Sequence, residues 1–149
     1  MSEEMLRVSV DKFIFLAPGG RLYSDAGVWV LKEGARARLG LTDFAQQSNG
    51  DIAFAKVKPV GTKLERGDEF AEIETVKVNM SFPSPVRGSI LEANRSLADA
   101  PELINQEPYD QGWLAVVEFD EAEDSVAHLL DAQTYLALVK EQAEAEMKK

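Results

Sequence analysis

The sequence Glu74-Thr75-Val76-Lys77-Val78 places a single lysine within a short apolar segment. Successive side chains of an extended strand point to opposite faces, so we predict that the two valines face the core and that Lys77 faces solvent. An asparagine and two prolines follow shortly, and these residue types favour turns. The segment therefore predicts a strand that leads Lys77 to or near a hairpin tip, where another protein can reach it. On spacing alone, an ordinary surface lysine explains the same pattern.

Short apolar segments on either side of this lysine are separated by glycine and proline. Closely spaced strands of this kind indicate a sandwich or barrel rather than alternating strands and helices. The segment 96–112 is expected to be irregular, because its prolines and glycine interrupt regular elements. The predicted strands occupy residues 12–16, two short pieces of 21–31, 35–41, 52–57, 70–78, 89–94 and 113–119.

Two helices are predicted. The first covers residues 42–50, with the Thr42 hydroxyl placed to cap its first amides. The second helix is a C-terminal helical extension of about residues 124–149, in which apolar residues recur every three to four positions. We expect a break near Asp131 and an exposed, fraying end over residues 141–149, where alanine, glutamate and lysine leave little to bury.

Composition limits the classes of function. The chain has 149 residues, which fits one domain over 1–149, and a formal net charge of -10, which argues against nucleic-acid partners. It has no cysteine and one histidine, His128, which we expect at a surface or boundary and not in catalysis. The N-terminus lacks the pattern of a signal or transit peptide, and no apolar run approaches the roughly 20 residues that span a bilayer. We therefore expect a cytoplasmic protein with no membrane partner and no metal site.

Several motifs, in one order over about residues 20 to 140, closely resemble the H protein of the glycine cleavage system. Biotin carriers share that protein's fold, but their lysine usually lies between two methionines, whereas Lys77 lies between valines. The matching motifs are Gly40-Leu41-Thr42-Asp43-Phe44-Ala45-Gln46, Gly50-Asp51-Ile52, Val60-Gly61, Gly67-Asp68, Glu74-Thr75-Val76-Lys77, Ser84-Pro85-Val86-Arg87-Gly88, Asn94, Pro101-Glu102-Leu103-Ile104-Asn105 and Pro108-Tyr109-Asp110-Gln111-Gly112-Trp113.

The resemblance implies a fold, a cofactor and partners. The fold is mainly β, a lipoyl-domain (barrel-sandwich hybrid) hammerhead of two antiparallel sheets with short helices and a C-terminal helix. By the same resemblance Lys77 carries lipoic acid in amide linkage, attached by a lipoate ligase or lipoyltransferase. Such a protein is a carrier and not an enzyme. It transfers an aminomethyl group and reducing equivalents between glycine decarboxylase, aminomethyltransferase and dihydrolipoyl dehydrogenase.

The sequence departs from the family where the lipoyl arm is expected to contact the protein. Gly27 and Val28 occupy the His and Glu positions of the family's Tyr, three residues, His-Glu-Trp motif, and Ala26 replaces a preceding serine. Ser81 aligns with an acidic residue that follows the lysine. The resemblance implies that these four residues line the arm-contact cleft. Two alternatives follow: an H-like lipoate-binding protein with another cargo, such as sulfur passed to heterodisulfide-reductase-like enzymes, or an unmodified interaction module.

Overall fold

The computed structural model describes residues 4–119 and 126–147. Its strands are β1 (Met5–Val10), β2 (Phe13–Pro18), β3 (Leu22–Tyr23), β4 (Val28–Glu33), β5 (Arg36–Leu41), β6 (Ile52–Val57), β7 (Lys63–Leu64), β8 (Glu69–Thr75), β9 (Asn79–Pro83), β10 (Gly88–Ala93) and β11 (Ala115–Phe119). Its helices are α1 (Asp43–Asn49), a 3-10 turn (Arg95–Ala98), α2 (Leu103–Gln106) and α3 (Ala132–Met147).

All strand pairs are antiparallel, and the fold is mainly β with a C-terminal helix, as predicted. The described strands form a six-stranded sheet in the order β3-β4-β5-β11-β10-β7, a three-stranded sheet in the order β6-β8-β9 and a two-stranded sheet of β1 and β2. Side chains of the two larger sheets, including Leu39, Ile73 and Ile90, share one buried cluster. The two sheets therefore enclose the main core between them.

The short helix α1 has the ends that its sequence predicts. The Thr42 hydroxyl oxygen accepts a hydrogen bond from the Ala45 amide at 3.1 Å, which satisfies one of the free donors of the first turn. Gly50 ends the helix with φ 84°, a conformation that glycine adopts without steric cost. These local signals therefore set where α1 begins and ends.

Two other positions require glycine because neighbouring atoms leave no room for a side chain. A Cβ atom at Gly40 would lie 2.5 Å from the ring of Trp29, which is fully buried. A Cβ atom at Gly88 would overlap the carbonyl oxygen of Glu118 in the neighbouring strand β11. Gly88 therefore lies where β10 and β11 approach each other too closely for a larger side chain.

The sequence predicted a strand at β2 but none at β1. The hairpin that these two strands form changes the interpretation of the C-terminal tail. Leu6 and Val8 pack with α3 in a second buried cluster, and Ala143 of α3 is only 2% exposed. The predicted solvent exposure of the end over 141–149 is confirmed for Glu141 and for residues 144–147, but Ala143 is buried and the segment is helical as far as Met147. Because the hairpin lies far from the tail in sequence, the composition of the tail alone did not indicate that the two pack together.

The predicted C-terminal helical extension is interrupted. Leu130 forms a β-bridge with Tyr23, with two backbone hydrogen bonds of 2.8 Å, so the chain is extended there and α3 starts at Ala132. Residue 126 is helical and residues 127–131 are not, so the break expected near Asp131 is confirmed. The predicted beginning of the helix, at residues 124 and 125, lies outside the described residues. Within the described residues, no helix is both long and apolar enough to cross a membrane.

Candidate modification site and adjoining pocket

Lys77 lies in the tight turn that joins β8 to β9, at the tip of a hairpin of the three-stranded sheet. Its side chain is exposed, and the ion pairs found among the described residues do not include it. A primary amine at a hairpin tip is open to approach from outside the protein. The predicted placement of Lys77 at a hairpin tip is confirmed.

The valines on either side of Lys77 do not face the core. Val76 is 94% exposed and Val78 is 42% exposed. The prediction was wrong because it extended the two-residue alternation of β8 beyond Thr75, where the strand ends and the turn begins. Alternation of faces holds only for extended backbone.

Thr75 holds the turn together with four hydrogen bonds. Its amide donates to the carbonyl oxygen of Val78 at 2.9 Å, and its hydroxyl donates to the same oxygen at 3.3 Å. The Thr75 hydroxyl oxygen accepts from the amides of Lys77 at 3.2 Å and Val78 at 3.1 Å. A threonine side chain therefore satisfies the turn's free amides and fixes the backbone from which Lys77 projects.

Replacing Thr75 with valine is expected to loosen this turn without unfolding the protein. The substitution keeps the shape but removes hydrogen bonds that contribute about 0.5–1.5 kcal/mol each. Hydrogen exchange at the amides of Lys77 and Val78 should accelerate roughly fivefold to tenfold, while the melting temperature changes little, because the turn is exposed. Thr75→Ser is the control and should retain slow exchange. Equal exchange rates in wild type and Thr75→Val would contradict this role.

A pocket of about 120 Å³ lies on the inner side of β9, close to this turn. Met80 and Phe82 of β9 line one wall, and Phe44 of α1 and Tyr135 of α3 line others. The turn between β3 and β4 completes the pocket. Its lining residues are Asp25, Ala26, Gly27, Phe44, Ala45, Ser48, Asn49, Met80, Phe82, Tyr135, Gln142 and Glu146.

Gly27 brings the β3–β4 turn close to α1. It has φ 87°, and a Cβ atom there would lie 2.9 Å from the Cβ of Ala45. The Gly27 carbonyl oxygen accepts from the Thr42 amide at 2.9 Å, and the Thr42 hydroxyl shares a 2.7 Å hydrogen bond with the hydroxyl of Tyr135. A side chain at this position would push the turn away from α1 and alter the pocket wall.

The four cleft residues expected from the sequence do not lie on one surface. Ala26 and Gly27 line the pocket, but Val28 is fully buried in β4. Ser81 lies on the outer face of the three-stranded sheet, where its hydroxyl bonds the Glu69 carboxylate. That hydrogen bond, followed by the contribution of Lys58, lowers the pKa of Glu69. Met80 and Phe82 are the β9 residues that line the pocket instead. The alternation of side chains between the two faces of a strand could have indicated this.

Charge in the pocket comes from two carboxylates. Asp25 and Glu146 line it, and its lining includes no lysine, arginine or histidine. Burial raises the pKa of Tyr135 to about 12, so the phenol stays neutral at physiological pH. The pocket therefore combines an apolar floor with a negative rim, and it suits a slender apolar group that ends in a neutral or cationic function.

Metal chemistry finds no support in the part of the chain that the structure describes, since no group of three or more potential ligands comes together there. His128, which the sequence placed at a boundary, is half-buried and lies outside this pocket. One of its ring nitrogens, Nε2, lies 2.8 Å from the Pro85 carbonyl oxygen. The amine of Lys77, exposed at a hairpin tip, is accessible to a modifying enzyme.

Known proteins match this chain over most of its length. Residues 21–142 match the family described as Glycine cleavage H-protein. The glycine cleavage system H protein of Chlorobium limicola is 43% identical over 126 residues, which cover 83% of this chain and 98% of that protein. Its counterpart in Brevibacillus brevis is 40% identical over 124 residues, with the same coverage. The crystal structure of a glycine cleavage system H protein from Mycobacterium marinum superposes with a TM-score of 0.73 at 30% identity, covering 81% of this chain and 97% of that one.

Proposed function

Because the chain belongs to the glycine cleavage H-protein family, we propose that it is a carrier protein that bears lipoic acid in amide linkage on Lys77. The observation that carries this proposal is the exposed amine of Lys77 on a turn that Thr75 holds rigid. A carrier needs its anchor to project from fixed backbone into solvent. The chain is proposed to be one lipoyl-type domain over 1–149, with about 124–149 as its C-terminal extension, since the hairpin β1–β2 and α3 share a buried cluster with Trp29 of β4.

The residues present fit a lipoyl group. From the Cα of a lysine to the end of an attached lipoyl group, ordinary bond lengths give a reach of about 14 Å. Met80 is three residues beyond Lys77, or about 10 Å along an extended strand, so the pocket beside it lies within that reach. Apolar contacts with Met80 and Phe44 suit the hydrocarbon chain and ring. When bound, the lipoyl group supplies a disulfide that can accept a chemical group together with electrons.

The role of the chain itself is to present and shelter this arm. A lipoate ligase or lipoyltransferase would attach it, and partner enzymes would load and unload it. We propose that these partners are glycine decarboxylase, aminomethyltransferase and dihydrolipoyl dehydrogenase, and that the cargo is an aminomethyl group followed by reducing equivalents. The carboxylates of Asp25 and Glu146 support an amine as cargo, because they place negative charge at the rim of the pocket.

A second candidate is a lipoyl carrier with a different cargo, such as sulfur passed to heterodisulfide-reductase-like enzymes. The observation in its favour is the turn at Ala26 and Gly27, which offers the pocket a methyl group and bare backbone in place of polar side chains. An uncharged cargo needs no acceptor at that position. The two candidates share the same attachment site and differ only in the group that the pocket receives.

Reconstitution distinguishes the two cargoes. Intact mass first establishes that the protein carries one lipoyl group, and an unchanged mass after expression with lipoate would favour the unmodified interaction module. The lipoylated protein is then combined with the three glycine cleavage enzymes, and glycine-dependent turnover is expected. Its absence, with the lipoyl group in place, would favour the second candidate.

The double variant Asp25→Asn/Glu146→Gln is expected to lower glycine-dependent turnover about threefold to tenfold, because solvent-exposed charge interactions contribute only about 0.2–1 kcal/mol each. Lipoylation should be unchanged, since neither carboxylate belongs to the turn. Glu144→Gln removes an exposed carboxylate from the same helix outside the pocket and serves as the control. An equal loss in Glu144→Gln would assign the effect to general surface charge.

A further inference from the structure

The most exposed large hydrophobic side chain among the described residues lies next to Lys77. Val76 is 94% exposed, whereas the next two are Val60 at 64% and Phe54 at 53%. Single exposed apolar side chains are common on protein surfaces. This one differs because it is almost fully hydrated and immediately precedes the residue proposed to be modified.

The Val76 side chain does not stabilise the fold. The central positions of tight turns favour Gly, Pro, Asn, Asp and Ser, and a β-branched residue offers no advantage there. Thr75 supplies the hydrogen bonds that hold the turn, so the Val76 side chain is not needed for its geometry. With 6% of its surface covered, the side chain also adds little packing (100 minus the 94% exposed). Its exposed surface is therefore available to a partner.

The surroundings of Val76 define the chemistry of that partner. Phe54 is exposed on β6, opposite Glu74 of β8, on the outer face of the three-stranded sheet. Glu74 is exposed on the same face, whereas Glu72, further from the turn, is half-buried opposite the exposed Lys56, and the whole chain carries a net charge of -10. The end of the sheet near the turn thus combines exposed apolar side chains with the carboxylate of Glu74, which complements an apolar socket with a basic rim.

We propose that Val76 is a specific contact residue for the enzyme that acylates Lys77, bound in an apolar socket at the entrance of that enzyme's active site. The inference rests on the proposed function, because it requires that Lys77 be acylated. In the reaction catalysed by an ATP-dependent lipoate ligase, the Lys77 amine forms an amide bond to the acyl carbon of lipoyl adenylate. The bond from that carbon to the phosphate oxygen breaks, AMP leaves, and the ammonium proton passes to water. Val76 takes no part in these bond changes and acts by binding.

The test compares Val76→Asn with Val60→Asn in the full-length protein. Both positions carry exposed valines in turns, and asparagine is compatible with turns, so each substitution removes an apolar side chain without removing the turn. Purified lipoate ligase, ATP and lipoate are added to each unmodified protein. Initial rates of lipoyl attachment are measured by intact mass over a range of protein concentrations.

Val76→Asn is expected to lower kcat/KM for acylation about tenfold, mainly through a higher KM, because the apolar contact is lost from both the ground state and the transition state. Val60→Asn should stay within about twofold of wild type. Hydrogen exchange at the Lys77 and Val78 amides should be the same in all three proteins, which shows that the turn is intact.

Other outcomes would overturn the inference. Wild-type kinetics in Val76→Asn, or equal losses in both variants, would show that the enzyme does not bind this side chain. Self-association of the wild-type protein that Val76→Asn abolishes, with unchanged acylation, would assign the exposed valine to a second copy of the chain. If the ligase fails to acylate the wild-type protein at all, the proposed function itself fails and the inference falls with it.

Discussion

Replacing Lys77 with arginine is expected to abolish attachment of the lipoyl group and all carrier activity. Arginine keeps the positive charge, but its guanidinium stays protonated and is not a nucleophile for an activated acyl group. The Lys77 side chain is exposed at a turn, so the folded state should be as stable as wild type. Intact mass after expression with lipoate should show the unmodified chain alone, and turnover with partner enzymes should fall to background.

Lys12→Arg is the matched control for this experiment. Lys12 is also an exposed lysine at the turn of a β-hairpin, between β1 and β2. This variant should gain one lipoyl group as wild type does, because its turn lacks the Glu-Thr-Val-Lys sequence. A Lys77→Arg protein that still gained the lipoyl mass, or a Lys12→Arg protein that lost it, would refute the assignment of Lys77 as the attachment site.

Replacing Gly88 with alanine is expected to destabilise the whole fold. Gly88 begins β10 and pairs with Leu64 of β7 on one side and Phe119 of β11 on the other. An added methyl group would overlap the backbone carbonyl oxygen of Glu118, which cannot move without disturbing the six-stranded sheet. Overpacking of this kind costs about 3 kcal/mol. For a chain of this size, that loss corresponds to a fall in melting temperature of roughly 10 °C.

Gly34→Asn provides the comparison for Gly88→Ala. Gly34 has φ 67° in the turn between β4 and β5, with open space around its missing side chain, and asparagine tolerates this conformation. Its free energy of unfolding should fall by less than about 1 kcal/mol. Thermal denaturation and urea unfolding of both variants measure the difference. A melting temperature of Gly88→Ala close to that of wild type would mean that β10 and β11 can separate without cost.

Local sequence signals predicted the elements that carry the candidate site. The helix α1 follows from a capping threonine and a terminating glycine, and both act within a few residues of where they stand. The turn at Lys77 follows from nearby turn-forming residues. Strand β5 follows from the alternation of arginine with apolar residues, and it pairs with β4. Each of these elements depends on neighbours in the sequence, which is why inspection of the sequence finds it.

Contacts between segments that are distant in sequence explain where the predictions differ from the structure. The end expected to fray over 141–149 is helical as far as Met147 because Ala143 packs in one buried cluster with β1, and β1 itself shows alternation of Leu6, Val8 and Val10 with polar residues. The expected cleft residues only partly coincide with the pocket, for a different reason. Alignment to a family motif assigned Ser81 to it, whereas the alternation of β9 places Met80 and Phe82 on the pocket side. The pocket joins four separate segments, and no single segment reveals it.

The rigid turn at Thr75 also limits how strongly the pocket should bind. A group tethered to Lys77 is confined to a small volume around a fixed pivot, which gives it an effective concentration at the pocket roughly in the millimolar range or above. A pocket with an intrinsic dissociation constant of roughly one millimolar would therefore be occupied about half of the time. Tighter binding would slow release to every partner enzyme. The small pocket of about 120 Å³ beside β9 thus suits the proposed lipoyl arm, which would have to enter and leave it repeatedly.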